Sequence, residues 1–224
     1  FDPDELRQRY RDERDKRVRA EANEQYTEIK GEFAHYLEDP YIKFEERAPI
    51  VKEVQVAIVG GGFGGMLVAA RLHEAGIHDF TVIEKGGDFG GTWYWNRYPG
   101  ARCDIATTDY QYTWDPELHE QWQWSEKHAA QPEILRYAQF IAKKHDLYSG
   151  IEFNTRVDGA QWNEVAKRWS IHTSTGETIT CQHYVMATGC LSVPKEPDIA
   201  GTEKFTGNVY VTGRWPHEGV DFTG

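Results

Sequence analysis

Two short apolar runs lie on either side of a stretch with helical spacing. Val54, Val56, Ala57, Ile58 and Val59 form the first run, and Phe80, Thr81, Val82 and Ile83 form the second. Each has the length and β-branched content of a buried strand. Between them Met66, Leu67, Val68, Ala69, Ala70 and Leu72 predict a helix over 66–75 that Gly76 ends. Further on, Ile134, Leu135, Ala138, Ile141 and Ala142 mark one side of a helix over 132–145. Short alternating runs over 151–157, 159–163, 168–173 and 178–181, with a turn at Thr175 and Gly176, predict a β-meander. Residues 183–189 then read as a strand returning to the sheet of the first two. Residues 86–124 are rich in glycine and aromatic side chains and predict a loop region.

The first fifty residues follow another pattern. Asp2 before Pro3 predicts a helix N-cap with proline in the first turn, and Arg11/Asp15, Asp12/Lys16, Glu13/Arg17 and Asp15/Arg19 place opposite charges four apart. From Val18 the apolar positions Ala22, Tyr26, Ile29, Phe33 and Leu37 recur every three or four residues, giving one face able to dock on the body of the protein. Glu38, Asp39 and Pro40 end this helix. The expected organisation is a helical N-terminal arm and linker over 1–50, a nucleotide-binding domain over 51–200 and a connecting segment over 201–224.

The boundary between the first strand and the first core helix carries the chemistry. Gly60, Gly62 and Gly65 form G-x-G-x-x-G with Phe63 inside it, directly after the Val54–Val59 run, and Glu84 closes the second run about twenty residues beyond. The first glycine permits the tight turn, the second lets backbone approach a pyrophosphate, and the third lets helix pack on strand. N–H groups at the helix N-terminus then face an anion. Glu84 can accept hydrogen bonds from both ribose hydroxyls and repels a 2′-phosphate, so the adenosine held here belongs to FAD or NAD and not to NADP. Strand, glycines, helix, strand and acid in this order give the fold class: α/β, with a Rossmann-like parallel sheet and a β-meander behind a helical N-terminal arm.

Composition narrows the partners. A formal charge of −11 disfavours nucleic acid and anionic membranes, so the aromatic density between Trp93 and Trp124 reads as core or cofactor wall and not as a base-stacking platform. There is no apolar run of membrane-spanning length and no signal-peptide pattern at Phe1, Asp2 and Pro3, which makes a cytoplasmic protein the expectation. Cys103, Cys181 and Cys190 are odd in number and widely spaced, as suits reduced thiols. The nine histidines show no metal-ligand spacing, so no metal site is expected, and no G-x-S-x-G elbow is present.

Residues 90–104, G-G-T-W-Y-W-N-R-Y-P-G-A-R-C-D, closely resemble the flavin-contacting segment of the Baeyer–Villiger monooxygenases, which depend on FAD and NADPH. Ala187, Thr188 and Gly189 resemble the second FAD-contact motif of flavoproteins with two dinucleotide sites. Residues 205–216 resemble the family fingerprint F-x-G-x-x-x-H-x-x-x-W-P, with Val211 where the family has histidine. Valine neither hydrogen-bonds nor titrates, so a hinge role of that side chain is lost here. The resemblance runs from Val54 to the end of the chain. It implies an enzyme that inserts one oxygen atom of O2 beside a ketone carbonyl to give an ester or lactone.

The resemblance also implies site roles. Gly60, Gly62, Phe63 and Gly65 would meet the pyrophosphate and Glu84 the ribose. Gly91, Thr92, Trp93, Tyr94 and Trp95 would meet the flavin side, with Tyr110, Val157, Ala187, Thr188 and Gly189 as further FAD contacts. Arg102 and Cys103 would meet the nicotinamide cofactor, and Asp104, also a cofactor contact, would act catalytically by fixing an arginine beside the flavin. Arg97 would meet phosphate or a surface acid. Family members carry that arginine and a second glycine motif, for NADPH, beyond the position of Gly224. The chain is therefore expected to be the N-terminal part of a longer polypeptide, with the NADPH site mostly outside it. Two alternatives share the scaffold: an N- or S-oxygenating flavin-containing monooxygenase, and a non-catalytic FAD-binding module.

Overall fold

The computed structural model describes residues 2–18, 38–43, 47–194 and 199–223. Helix α1 spans Pro3–Asp15, and Asp2 caps it by accepting a hydrogen bond from the Asp4 N–H at 2.8 Å, as the Asp2–Pro3 pair predicts. Of the expected charge pairs, Glu13/Arg17 forms at 3.8 Å, while Lys16 turns to Glu13 and Asp15 to Arg14. The amphipathic stretch expected from Ala22 to Leu37 lies outside the described residues.

The body is built on β1 (Val51–Val59), α2 (Phe63–Glu74), β2 (Phe80–Ile83), β3 (Ile151–Glu152), β4 (Val157–Asn163), β5 (Arg168–Thr173) and β6 (Thr178–Met186). The six strands form one sheet in the order β3-β2-β1-β6-β5-β4. β1 pairs in parallel with β2 and β6, and β2 with β3, while β4, β5 and β6 pair antiparallel. The expected parallel sheet and meander are thus two halves of a single sheet.

β6 joins those halves and corrects the sequence reading, which has two strands there, over 178–181 and 183–189. Pairing with β1 runs in one register from Val51↔Thr178 to Val59↔Met186, resuming at Val56↔His183 after Gln182, and carries the strand past the exposed Gln182 and His183. The run expected over 151–157 contracts to β3. Beyond it the Asn154 and Thr155 N–H groups turn away to the carbonyls of Gly86 and Glu84, at 3.1 and 2.9 Å.

From Val56 to Val59 both faces of β1 are covered, which is why that part of its sequence is apolar without alternation. Val56 and Ile58 pack with Phe80 and Val82 beneath α2 residues Met66, Ala69 and Ala70. Ala57 and Val59 pack instead with Ile83 and the meander residues Ile171, Ile179 and Cys181. The loop region holds three one-turn helices: α3 (Thr92–Trp95), α4 (Thr107–Tyr110) and α5 (Leu118–Gln121). They are followed by α6 (Gln131–Lys144), which buries Ile134, Tyr137, Ala138, Ile141 and Ala142. Among the described residues no helix is long and apolar enough to cross a membrane, and no group of acidic, histidine or cysteine side chains could hold a metal ion.

Candidate functional site

The carboxyl ends of β1, β2 and β6 come together, and the loops leaving them continue the ladder. The Gly60 N–H reaches the Ile83 carbonyl at 2.9 Å, and the Ala187 N–H reaches that of Val59 at 2.8 Å. Ligands of parallel α/β sheets bind outside this edge. Gly60 leaves β1 at φ +113°, and a Cβ on it would lie 2.3 Å from the Ala187 carbonyl oxygen. A Cβ on Gly65 would lie 1.8 Å from the Gly60 carbonyl oxygen, so only glycine lets α2 start this close to the turn.

A cavity of about 760 Å³ opens there, within the range of about 300–1,000 Å³ usual for small-molecule and cofactor sites. Of the residues singled out from the sequence, its wall holds Gly60, Gly62, Phe63, Glu84, Gly91, Thr92, Trp93, Trp95, Tyr110, Val157, Ala187, Thr188 and Gly189. Phe63, Trp93 and Tyr110 form one side. The Phe63 and Tyr110 rings are 5.3 Å apart, and the Trp93 indole N–H donates to the Tyr110 hydroxyl at 2.9 Å. Burial, first of all, pushes the Tyr110 hydroxyl up from its ordinary pKa, keeping it protonated.

Glu84 is buried, with both carboxylate oxygens already engaged: Oε2 accepts from the Gly61 N–H at 2.6 Å and Oε1 from the Gly86 N–H at 2.8 Å. Each carboxylate oxygen retains a further lone pair, so these bonds orient the acid without exhausting it. Lys85, Arg97 and Arg156 supply positive charge to the same wall. Lys85 lies 4.3 Å over the Trp95 ring, and burial lowers its pKa. Arg97 pairs with no acid among the described residues. Its guanidinium stacks 3.5 Å over Tyr41, and its Nε donates to the Tyr94 carbonyl.

Five expected site residues lie off the wall. Gly65 is behind Gly60, where its role is the close approach just described. Tyr94 is buried within α3, its hydroxyl donating away from the cavity to Asp39 at 2.5 Å. Arg102 is exposed and bonded to Glu126 and the His128 carbonyl, Cys103 is buried against Trp93 and Ala129, and Asp104 is exposed. Conversely, the sequence reading gave no site role to Tyr41, Thr155 or Leu191, or to the connecting-segment residues Thr212, Gly213 and His217, all of which line the cavity. Tyr41 lies in a stretch read as a plain linker, and no motif there signals a ligand. Val211 is half-buried and leads into Thr212 and Gly213.

The profile of the pyridine nucleotide-disulphide oxidoreductase family matches residues 57–220, which include the glycine turn, the cavity wall apart from Tyr41, and the meander. The chain belongs to that family. Its relatives bear out the resemblance carried by residues 90–104. Neopentalenolactone D synthase of Streptomyces avermitilis is 44% identical over 100% of this chain and 38% of its own length. A Baeyer–Villiger monooxygenase of Streptomyces coelicolor is 43% identical over 95% of this chain and 35% of its own. Among solved structures, an oxidized steroid monooxygenase bound to NADP is 44% identical with a TM-score of 0.67, over 77% of this chain and 33% of that one. Cyclohexanone monooxygenase bound to ε-caprolactone is 34% identical with a TM-score of 0.69, over 78% and 34%. The chain spans little more than a third of the length of these curated relatives.

Proposed function

We propose that this chain is the FAD-binding part of a Baeyer–Villiger monooxygenase that consumes NADPH and O2 and converts a small-molecule ketone to an ester or lactone. The observation that carries the reading is the cradle at the carboxyl edge of the sheet, where a Cβ on Gly60 or Gly65 would strike backbone and where Phe63, Trp93, Tyr110 and Glu84 line one cavity. The residues fit a dinucleotide. FAD, when bound, supplies the redox and oxygen-transfer chemistry.

The chain's own residues bind and orient. Backbone at Gly60 and Gly62 gives a pyrophosphate room to approach, the first turn of α2 presents N–H groups to its charge, and Glu84 takes the ribose hydroxyls while excluding a 2′-phosphate. Phe63, Trp93 and Tyr110 keep water from one side of the cavity. Asp104, exposed and off the wall, fixes the guanidinium of an arginine from elsewhere in the protein, and Arg102 and Cys103 flank the nicotinamide cofactor. Residues 51–200 act as the FAD-binding unit, with 1–50 as an N-terminal extension and 201–224 leading toward an NADP-binding unit. We place the protein in the cytoplasm, on the strength of its three free cysteines, and expect neither membrane nor nucleic-acid partners.

Incubating the intact protein with NADPH, O2 and a panel of cyclic ketones tests the reading. Lactone formation is expected. Sulfoxide or hydroxylamine products from the matching substrates with no lactone would overturn it in favour of N- or S-oxygenation.

A further inference from the structure

Residues 38–43 precede β1, yet they lie directly on the turn that carries Glu84. Asp39 is the anchor. Its Oδ2 accepts from the Tyr94 hydroxyl at 2.5 Å and from the Gly87 N–H at 2.7 Å, and its Oδ1 accepts from the Tyr41 N–H at 2.9 Å. The Gly87 N–H also reaches the Tyr94 hydroxyl at 3.3 Å, so carboxylate, phenol and turn form a closed set. A Cβ on Gly87 would lie 2.3 Å from Ile42 Cδ1, which shows how closely this strap sits on the turn. Burial first, and then Asp39, raise the Tyr94 pKa, so its hydroxyl stays a donor.

The same anchor sets part of the cavity. Tyr41 stands edge-on to Tyr94 with ring centroids 5.6 Å apart, Arg97 stacks on Tyr41, and both Tyr41 and Arg97 line the cavity. On the other side of the turn, the Gly86 N–H holds one oxygen of Glu84, and the other oxygen reaches back to Gly61 of the glycine turn. One carboxylate before the sheet therefore reaches the Glu84 turn through Gly87 and the Tyr41–Arg97 part of the cavity wall through Tyr41.

We propose that Asp39 is a positioning residue of the dinucleotide site, setting the Glu84 turn and the Tyr41–Arg97 wall so that the cofactor is retained. This rests on the reading that FAD occupies the cavity. Asp39→Asn is a sharp probe: its amide oxygen can still accept, but its NH2 must then face either the Tyr41 N–H or the Gly87 and Tyr94 donors.

The test uses the intact protein and its Asp39→Asn, Tyr94→Phe and doubly substituted variants. FAD affinity is read by titrating the flavin-free forms, and thermal unfolding of those same forms is recorded. Loss of a charge-assisted pair predicts FAD binding weakened about tenfold in Asp39→Asn. The flavin-free Tm is expected to stay within about 2 °C of the parent, and the double variant to be no weaker than Asp39→Asn. Unchanged affinity, losses that add in the double variant, or an affinity loss matched by a lower flavin-free Tm would overturn the proposal and leave Asp39 a structural tie. A parent protein that takes up no FAD would overturn the cofactor reading itself.

Discussion

Gly65 and the proposed role of Asp104 represent two different ways of serving this site. Gly65 acts by absence: a Cβ there would sit 1.8 Å from the Gly60 carbonyl oxygen, so Gly65→Ala must move α2 off β1. Overpacking of this kind costs about 1–3 kcal/mol. The variant should lose bound FAD and unfold at lower temperature. Gly159→Ala, where a Cβ meets nothing within 4 Å, should change stability by less than about 0.5 kcal/mol. Asp104 is off the wall, so Asp104→Asn should bind FAD as the parent does while oxygenation falls by about 100-fold or more, the usual scale for losing a group that fixes transition-state charge. Equal loss of FAD would place Asp104 in cofactor binding instead. The glycines and Glu84 were legible because their spacing is dictated by backbone geometry. Asp39 and Tyr41 were not, because they reach the site by folding across it from a stretch with no periodicity and no motif.

At the scale of elements, the sequence shows a strand or helix where one pattern runs long enough to repeat. The apolar runs at β1 and β2 and the stripe on α6 met that condition, and those elements lie within a few residues of expectation. A one-turn helix cannot show a period, so α3, α4 and α5 read as loop although α3 carries much of the cavity wall. β6 reads as two strands because polar Gln182 falls between the run over 178–181 and the run that starts at His183, while backbone pairing to β1 in one register, which side chains do not encode, joins them. α6 supports the site from behind. Its Tyr137 hydroxyl accepts from the Tyr112 N–H at 3.0 Å, and Tyr112 in turn donates to the Phe63 carbonyl in the first turn of α2. Ile141, fully buried in that cluster, should cost about 2–5 kcal/mol when cut to alanine, read as a lower denaturation midpoint with an unchanged slope.

At the largest scale, buried Glu177 and half-buried His145 contribute to the response to acid among the described residues. Burial works against the Glu177 carboxylate, but Thr173, the Ile50 N–H, Thr175 and Arg47 together hold it below its ordinary 4.5. Arg47, 2.5 Å from Glu177 and also bonded to Thr155, ties the segment before β1 to the meander. A depressed carboxylate stabilises the fold above its unfolded pKa and loses that contribution as pH falls through the folded value. His145, beside Trp114, is held below 6.5 chiefly by burial and is neutral in the fold. Its protonation on acidification favours unfolding, again from the unfolded value downward. Tm should therefore decline as pH is lowered below 6.5 and fall more steeply below 4.5. Glu177→Gln should flatten the lower part of that curve and His145→Gln the upper part, and an acid-insensitive Tm between pH 6.5 and 4 would contradict both assignments.

We propose that the glycine turn, the Glu84 turn and the Phe63–Trp93–Tyr110 wall enclose a flavin dinucleotide. The most direct measurement is the visible absorption spectrum of the intact purified protein, together with the amount and identity of cofactor released on denaturation. One FAD per polypeptide is predicted, retained by the parent and lost in Gly65→Ala. A colourless protein that takes up no FAD when supplied with it, or one that releases a nicotinamide dinucleotide from this cavity instead, would contradict this assignment of the cavity.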